Sequence, residues 1–169
     1  MKTNLLVVLA TFLASAAASA QPAPLPKEII DAWWAAGFRY SPPSDKKPGA
    51  LPRFELGLWL GDDILTRVPV PEQPFVLSFG HNGAPQTPGK DLALPGLSRM
   101  KSLQSLYLSN TATDAVMKEL AGLVKVQSLD VYQTRVTDEG MKGLAGLPEL
   151  RTLNIRATKL SDTGLKHLA

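Results

Sequence analysis

Three versions of one pattern decide the fold of this chain: LQSLYLSNT at residues 103–111, VQSLDVYQT at 126–134 and LRTLNIRAT at 150–158. In each version the fourth and sixth residues are apolar, and the residues between and beside them are mostly polar. This alternation suits a short strand with one buried face. The central residues Leu106, Leu129 and Leu153 recur after 23 and 24 residues. The period predicts a stack in which each strand borders the next.

A second shared pattern lies in the stretches that follow these strands. Thr137 and Ser161 each precede an aspartate, a pair that favours a helix N-terminus because the hydroxyl caps the helix and the carboxylate faces its positive end. Apolar residues then recur at three-residue steps, which fits one face of a short helix or 3₁₀ turn. They are Met117, Leu120 and Leu123 in the first stretch, and Met141, Leu144 and Leu147 in the second. Each unit is therefore predicted to run from strand to turn to helix and back.

The two patterns together resemble the leucine-rich repeat family, in the bacterial form LxxLxLxxTxVTDxGLxxLxxL, over about residues 94–169. The resemblance implies an α/β fold, a leucine-rich repeat solenoid in which a short parallel sheet is backed by helical returns. One irregular unit and about three regular ones would span residues 75–169. Where many members carry Asn or Cys, this chain has Thr111, Thr134 and Thr158. We expect these hydroxyls to satisfy backbone groups of the turn.

The first regular unit departs from the family pattern in its return. It is one residue shorter near Ala112, and it has Val116 where the later units have Gly140 and Gly164. We expect its turn to be tighter than the others.

Residues 21–74 show no repeat and are predicted to form an irregular α+β cap over the first layer of the solenoid, which such a stack requires. A helix is expected over Lys27–Ala36, with Ile29, Ile30, Trp33 and Trp34 on a broad apolar side and Gly37 as its C-terminal stop. We interpret the tryptophans as capping residues, because large aromatic side chains mostly belong to cores and interfaces. A ligand clamp or membrane-surface anchor is the other reading of this pair.

The stretch from residue 54 to 91 joins the cap to the repeats. Alternating apolar residues predict a strand over Phe54–Leu60, and Asp62 is expected to cap a short helix. Phe75–Phe79 is predicted to form an irregular first strand of the solenoid. Residues 81–91 then read as a turn and an enlarged loop.

Residues 1–20 have the features of a signal peptide. Lys2 supplies a positive start, Leu5–Ala18 is an apolar run, and Ala18-Ser19-Ala20 is a small-x-small cleavage pattern. We therefore expect an exported protein, periplasmic, cell-surface or secreted, with no membrane attachment after cleavage. A retained membrane anchor is the alternative, although the run is shorter than a spanning helix needs. The chain has no cysteine, which excludes disulfides and thiolate metal sites.

The chemistry-bearing residues do not form a recognisable catalytic motif. The two histidines, His81 and His167, are expected at opposite ends of the solenoid, so they should not share a proton or a metal ion. We predict that the chain is not an enzyme and has no cofactor and no metal site. The formal net charge of +3 is too small and too evenly spread to favour nucleic acid.

The candidate binding site is the concave face of the predicted sheet, since solenoids bind on such surfaces. Its side chains flank the buried leucines in three columns: Ser105, Ser128 and Thr152; Tyr107, Asp130 and Asn154; Ser109, Tyr132 and Arg156. Tyrosine and arginine are typical binding anchors. An ordinary solvated sheet face is the other interpretation. Three strands give a face only about 10 Å across, which favours a peptide or small molecule over a large protein partner.

The leading functional hypothesis is an exported module that binds a protein or peptide on this face. Three alternatives stay open: a structural envelope or cell-surface scaffold without a specific ligand, a ubiquitin-ligase adaptor of the F-box kind, and an enzyme that uses His81 as its base. The export signal and the lack of an F-box segment oppose the adaptor. The last unit shows no cap, so self-association through this uncapped C-terminal repeat is also expected.

Overall fold

The computed structural model describes residues 23–44, 47, 49–56, 63–79 and 93–166, which form one sheet with helices beside it. Its strands follow chain order across the sheet. They are β1 (Phe38–Ser41), β2 (Arg53–Leu56), β3 (Phe75–Phe79), β4 (Leu103–Tyr107), β5 (Ser128–Asp130) and β6 (Thr152–Asn154). β1 is antiparallel to β2, and every later pair is parallel. The predicted α/β class is therefore confirmed.

The helices of the described residues are short. They are α1 (Lys27–Ala35), α2 (Ile64–Arg67), α3 (Asp114–Glu119), α4 (Asp138–Met141) and α5 (Asp162–Leu165), with 3₁₀ turns at Leu97–Arg99 and Lys142–Gly146. α1 agrees with the predicted helix within one residue, and the chain leaves it through Gly37, two residues after its end, whose positive φ of 89° marks a left-handed stop. In the described part of the chain, no helix is long and apolar enough to cross a bilayer.

One row of inward side chains runs across all five parallel strands. Phe54 of β2 pairs with Leu77 of β3, and the row continues through Leu106, Leu129 and Leu153. The three leucines that the sequence predicts as neighbours are therefore adjacent and in register. The apolar residues of the helical returns complete this interior, and Met117, Leu120, Leu123, Met141, Leu144 and Leu147 are all buried. β3 joins β4 with a register shift at Phe75 and Val76, so the predicted irregularity is present. The prediction that β3 is the first strand of the parallel series is wrong, because β2 precedes it and pairs with it in parallel.

Each of the strands β4, β5 and β6 ends in the same threonine turn. The hydroxyls of Thr111, Thr134 and Thr158 donate to the carbonyl oxygen three residues earlier, at 2.8, 2.7 and 2.7 Å. This confirms the structural role predicted for the threonines. The residue before each threonine has a positive φ, of 64° at Asn110, 54° at Gln133 and 56° at Ala157. Of these, asparagine adopts the left-handed conformation most readily.

Aspartates at the helix starts tie successive segments together. We call residues 103–123, 126–147 and 150–166 segments 1, 2 and 3. Asp114 of segment 1 accepts hydrogen bonds from the backbone N–H and the hydroxyl of Thr137, at 2.8 and 2.7 Å. Asp138 holds Ser161 in the same way, at 2.9 and 2.6 Å. Thr137 and Ser161 also cap their own helices, as predicted. The repeated Thr-Asp and Ser-Asp pairs therefore join one segment to the next.

The same aspartates explain the glycines that follow. A Cβ on Gly140 would lie 2.3 Å from an Asp114 oxygen, and one on Gly164 would lie 2.3 Å from an Asp138 oxygen. Val116 occupies the equivalent position in segment 1 and is fully buried. A side chain is tolerated at Val116, whereas the two later positions must leave room for a carboxylate.

The N-terminal end of the sheet is closed by aromatic side chains. Trp33 of α1 stacks on Phe54 with ring centroids 4.2 Å apart, and its indole N–H donates to the carbonyl of Pro69 at 2.9 Å. Trp33 is thus buried as expected of a capping residue, but the same expectation is wrong for Trp34, which is 71% exposed. One residue turns a helix by about 100°, so adjacent tryptophans on so short a helix cannot both face the sheet.

Several predictions differ from the structure or lie outside the described residues. β1 was not predicted, and the strand after it is described only over Arg53–Leu56. Asp63 occupies the N-cap position of the short helix α2 without a side-chain cap hydrogen bond, and Asp62, the predicted cap, lies outside the described residues. Asp63 instead pairs with Arg67, which lowers the pKa of this carboxyl. The proposed signal peptide, the turn and loop predicted for residues 81–91, and both histidines lie outside the described residues.

Candidate binding surface on the sheet

The outward face of the sheet carries the side chains predicted to bind a ligand. Ser105, Ser128 and Thr152 are paired across β4, β5 and β6, and so are Tyr107, Asp130 and Asn154. The third column, Ser109, Tyr132 and Arg156, lies in the turns just after the ends of β4, β5 and β6. In these turns the backbone N–H of Asn110 donates to the carbonyl of Tyr132, and that of Gln133 donates to the carbonyl of Arg156, at 2.9 and 3.0 Å. The structure thus brings Ser109, Tyr132 and Arg156 to the end of the same surface.

The face is wider than the sequence predicted. β1, β2 and β3 extend it toward the N-terminus, so the six strands span about 24 Å rather than about 10 Å. The outward residues that they add are Arg39, Ser41, Arg53, Glu55, Val76 and Ser78. The pairing of an antiparallel β1 with β2 could not be inferred from the parallel repeat.

Asp130 organises the C-terminal half of this face. One carboxylate oxygen accepts hydrogen bonds from the Ser109 hydroxyl at 3.1 Å and from the Tyr132 backbone N–H at 2.8 Å. The other oxygen accepts from the Asn154 side-chain amide at 2.8 Å. Asn154 in turn accepts from the backbone N–H of Arg156 at 3.2 Å. Asp130 and the buried Ser109 are therefore held within this network, while the Tyr132 side chain is half-buried and Arg156 is exposed to solvent.

The centre of the face is bridged by a cation–π contact. The guanidinium of Arg53 on β2 lies 5.0 Å from the ring centroid of Tyr107 on β4. The side chains beneath it on β3, Val76 and Ser78, are small and buried. Sequence reasoning missed Arg53, although the alternation that buries Phe54 and Leu56 also turns Arg53 and Glu55 outward.

The arrangement suits recognition by polar and aromatic contacts. Tyr107, Tyr132 and Asn154 are half-buried, and Arg156 is exposed at the edge. Side chains that already contact each other, as Arg53 and Tyr107 do, lose less conformational freedom on binding than free side chains. Within the described residues, no group of three or more His, Asp or Glu side chains could hold a metal ion.

Comparison of the chain with protein-family models, with curated proteins and with solved structures gives no match. The assignment of this surface therefore rests on its own geometry and on the pattern of the sequence.

Proposed function

We propose that this chain is an exported, non-enzymatic binding module of the leucine-rich repeat type, which engages a protein or peptide through the outward face of its sheet. The row formed by Leu106, Leu129 and Leu153 supports the solenoid assignment, because stacked repeats share one continuous interior. The positive start, apolar run and cleavage pattern within residues 1–20 support export.

The observation that carries the binding proposal is the hydrogen-bond network of Asp130. This carboxylate fixes the backbone of Tyr132 and the amide of Asn154, so neighbouring recognition groups are held in place before any ligand arrives. Preorganisation of this kind favours binding because less freedom is lost on association. The width of about 24 Å provides room for an extended peptide laid across several strands.

A structural scaffold without a specific ligand is the second candidate. The same Asp130 network favours it, since hydrogen bonds between neighbouring strands stabilise the sheet whether or not a ligand is present. The two candidates differ in one respect: only the binding module has a saturable ligand whose affinity depends on exposed face residues.

The experiment that separates them begins with a displayed random-peptide library selected on the mature chain. The enriched peptide is then measured by fluorescence anisotropy against the unmodified protein, Tyr132→Ala and Lys118→Ala. Lys118 is an exposed residue of α3 and serves as the control. We expect Tyr132→Ala to weaken binding by about tenfold or more, in line with the loss of a buried aromatic anchor, and Lys118→Ala to leave it unchanged. Failure to enrich any peptide, or equal affinity for all three proteins, would favour the scaffold.

A further inference from the structure

At the β6 edge of the sheet, the apolar interior of the protein is only partly covered. Leu129 of segment 2 is 1% exposed, whereas its partner in the register, Leu153, is half-buried. At the next equivalent position Val131 is buried and Ile155 is not fully covered. In the helical returns, Met141 is fully buried and Leu165 is 43% exposed. Segment 3 therefore presents a strip of apolar side chains that the earlier segments keep covered.

The backbone of segment 3 also presents a hydrogen-bond donor at this edge. The backbone N–H of Leu108 donates to the backbone carbonyl of Asp130 on the following segment, and that of Val131 donates to the backbone carbonyl of Asn154, at 2.8 and 2.9 Å. By the same geometry the N–H of Ile155 points away from β5. No strand beyond β6 lies in the described part of the chain. An edge of this kind is a template for an added strand.

The charged residues of segment 3 favour a partner strand of opposite charge at this edge. Residues 149–166 carry two exposed acidic side chains, Glu149 and Asp162, and four exposed basic ones, Arg151, Arg156, Lys159 and Lys166. The equivalent stretch of segment 2, residues 125–142, has equal numbers of acidic and basic residues. The excess of positive charge is therefore a property of segment 3, which contains the last strand of the described sheet.

We propose that the edge of β6 binds an extended peptide in which apolar and acidic side chains alternate, and adds it to the sheet as a further strand. The apolar side chains would cover Leu153, Ile155 and Leu165. The acidic ones would lie near the basic rim. This site shares Arg156 with the outward face, but its backbone edge is distinct from that face, and it does not depend on the function proposed for the face.

A second copy of the chain fits the edge less well than an acidic peptide. Two β6 edges would bring like-charged rims together, which opposes pairing. Head-to-tail addition would require β1 as the partner strand. β1 is followed directly by Pro42 and Pro43, which lack the N–H that strand pairing requires.

The test uses a fluorescent synthetic peptide in which Glu and Val alternate. A peptide of alternating Lys and Val and one of alternating Glu and Gly serve as comparison probes. The mature chain is compared with Arg151→Glu/Lys159→Glu, which reverses two charges of the rim. Lys118→Glu/Lys125→Glu makes the same change in net charge away from the β6 edge and is the matched control. Circular dichroism and thermal melting verify that both variants fold.

Of the three peptides, we expect only the Glu-Val peptide to show saturable binding. The rim variant should bind it about tenfold more weakly, and the control should keep affinity. A third variant, Ile155→Pro, removes the outward N–H and should weaken binding to a similar extent. Tyr132→Ala should leave binding unchanged, because it alters the outward face and not the edge.

Each other result would overturn the proposal. Equal binding of the Lys-Val peptide, or equal losses in the rim and control variants, would show that no acidic strand is selected. A loss caused by Tyr132→Ala would place the peptide on the outward face. Dimerisation in analytical ultracentrifugation that the rim variant strengthens, together with no peptide binding, would identify a second copy as the occupant.

Discussion

The two ends of the sheet differ in how their interior is covered. At the N-terminal end, Trp33 packs against Phe38, Phe54 and Phe75, and α1 lies over the first strands. At the C-terminal end, Leu153 and Ile155 are only partly covered, although they match buried residues of the preceding segment. In a stack, each layer depends on the layers beside it. Similar sequence patterns should therefore stabilise the protein to different extents according to their distance from the closed end.

The largest loss of stability is expected from a substitution at the N-terminal end of the sheet. Trp33→Ala should lower the free energy of unfolding by about 3 to 5 kcal/mol, because it removes a fully buried ring that contacts three others. Trp34→Ala, at the exposed neighbouring position, is the matched control and should change stability by no more than about 0.5 kcal/mol. Urea denaturation of both variants measures the difference, and similar losses for the two would contradict the cap described above.

The next prediction compares the losses of stability caused by substitutions at equivalent positions of segments 2 and 3. Met141→Ala should cost about 2 to 5 kcal/mol, because the side chain is fully buried in the interior. Leu165→Ala should cost less than about 1 kcal/mol, since much of this side chain already meets water. Equal losses in urea denaturation would mean that the C-terminal end is as well covered as the centre.

A smaller effect tests the aspartate that joins segments 1 and 2. Gly140→Ala should cost about 1 to 3 kcal/mol, because the new methyl group would collide with the Asp114 carboxylate. In an Asp114→Ala background the same substitution should cost clearly less, since the carboxylate is gone. A double-mutant cycle by chemical denaturation gives this coupling, and strictly additive losses would argue against the contact.

The smallest effect has the opposite sign. Ala157 holds a φ of 56°, which is unfavourable for any residue with a Cβ, so Ala157→Gly should stabilise the protein by about 0.5 to 1 kcal/mol. Ala115 in α3 is the control, because Ala115→Gly should destabilise an exposed helical site by about the same amount. Thermal melts of the two variants should shift in opposite directions, and a loss of stability for Ala157→Gly would refute the turn geometry.

The repeat pattern predicted the central part of the fold well. Leu106, Leu129 and Leu153 could be placed as neighbours because the period of the sequence and the alternation of a strand point to the same arrangement. The threonine turns and the caps at Thr137 and Ser161 were predictable for the same reason. The first two outward columns of the candidate site then followed from the strand register, and the third followed from the repeated turn after each strand.

The N-terminal strands could not be placed from the sequence. β1 has no repeat to align with, and its antiparallel pairing with β2 is a non-local contact that alternation does not specify. For this reason Arg39, Arg53 and Glu55 were missed as parts of the outward face. The close approach of Asp114 to Gly140 could not be predicted either. A recurring residue type indicates a common structural role, but it does not identify the atoms that the side chain contacts.

The central claim is a stack of parallel strands whose interior is covered at the N-terminal end and only partly covered at β6, the last strand in the described part of the chain. Amide hydrogen exchange at three equivalent backbone positions, followed by NMR, tests it most directly. We predict slow exchange for the N–H groups of Leu108 and Val131, which donate to the following strand, and fast exchange for Ile155, which has no strand beside it in the described chain. Protection of Ile155 equal to that of Val131, or fast exchange at all three positions, would contradict the account.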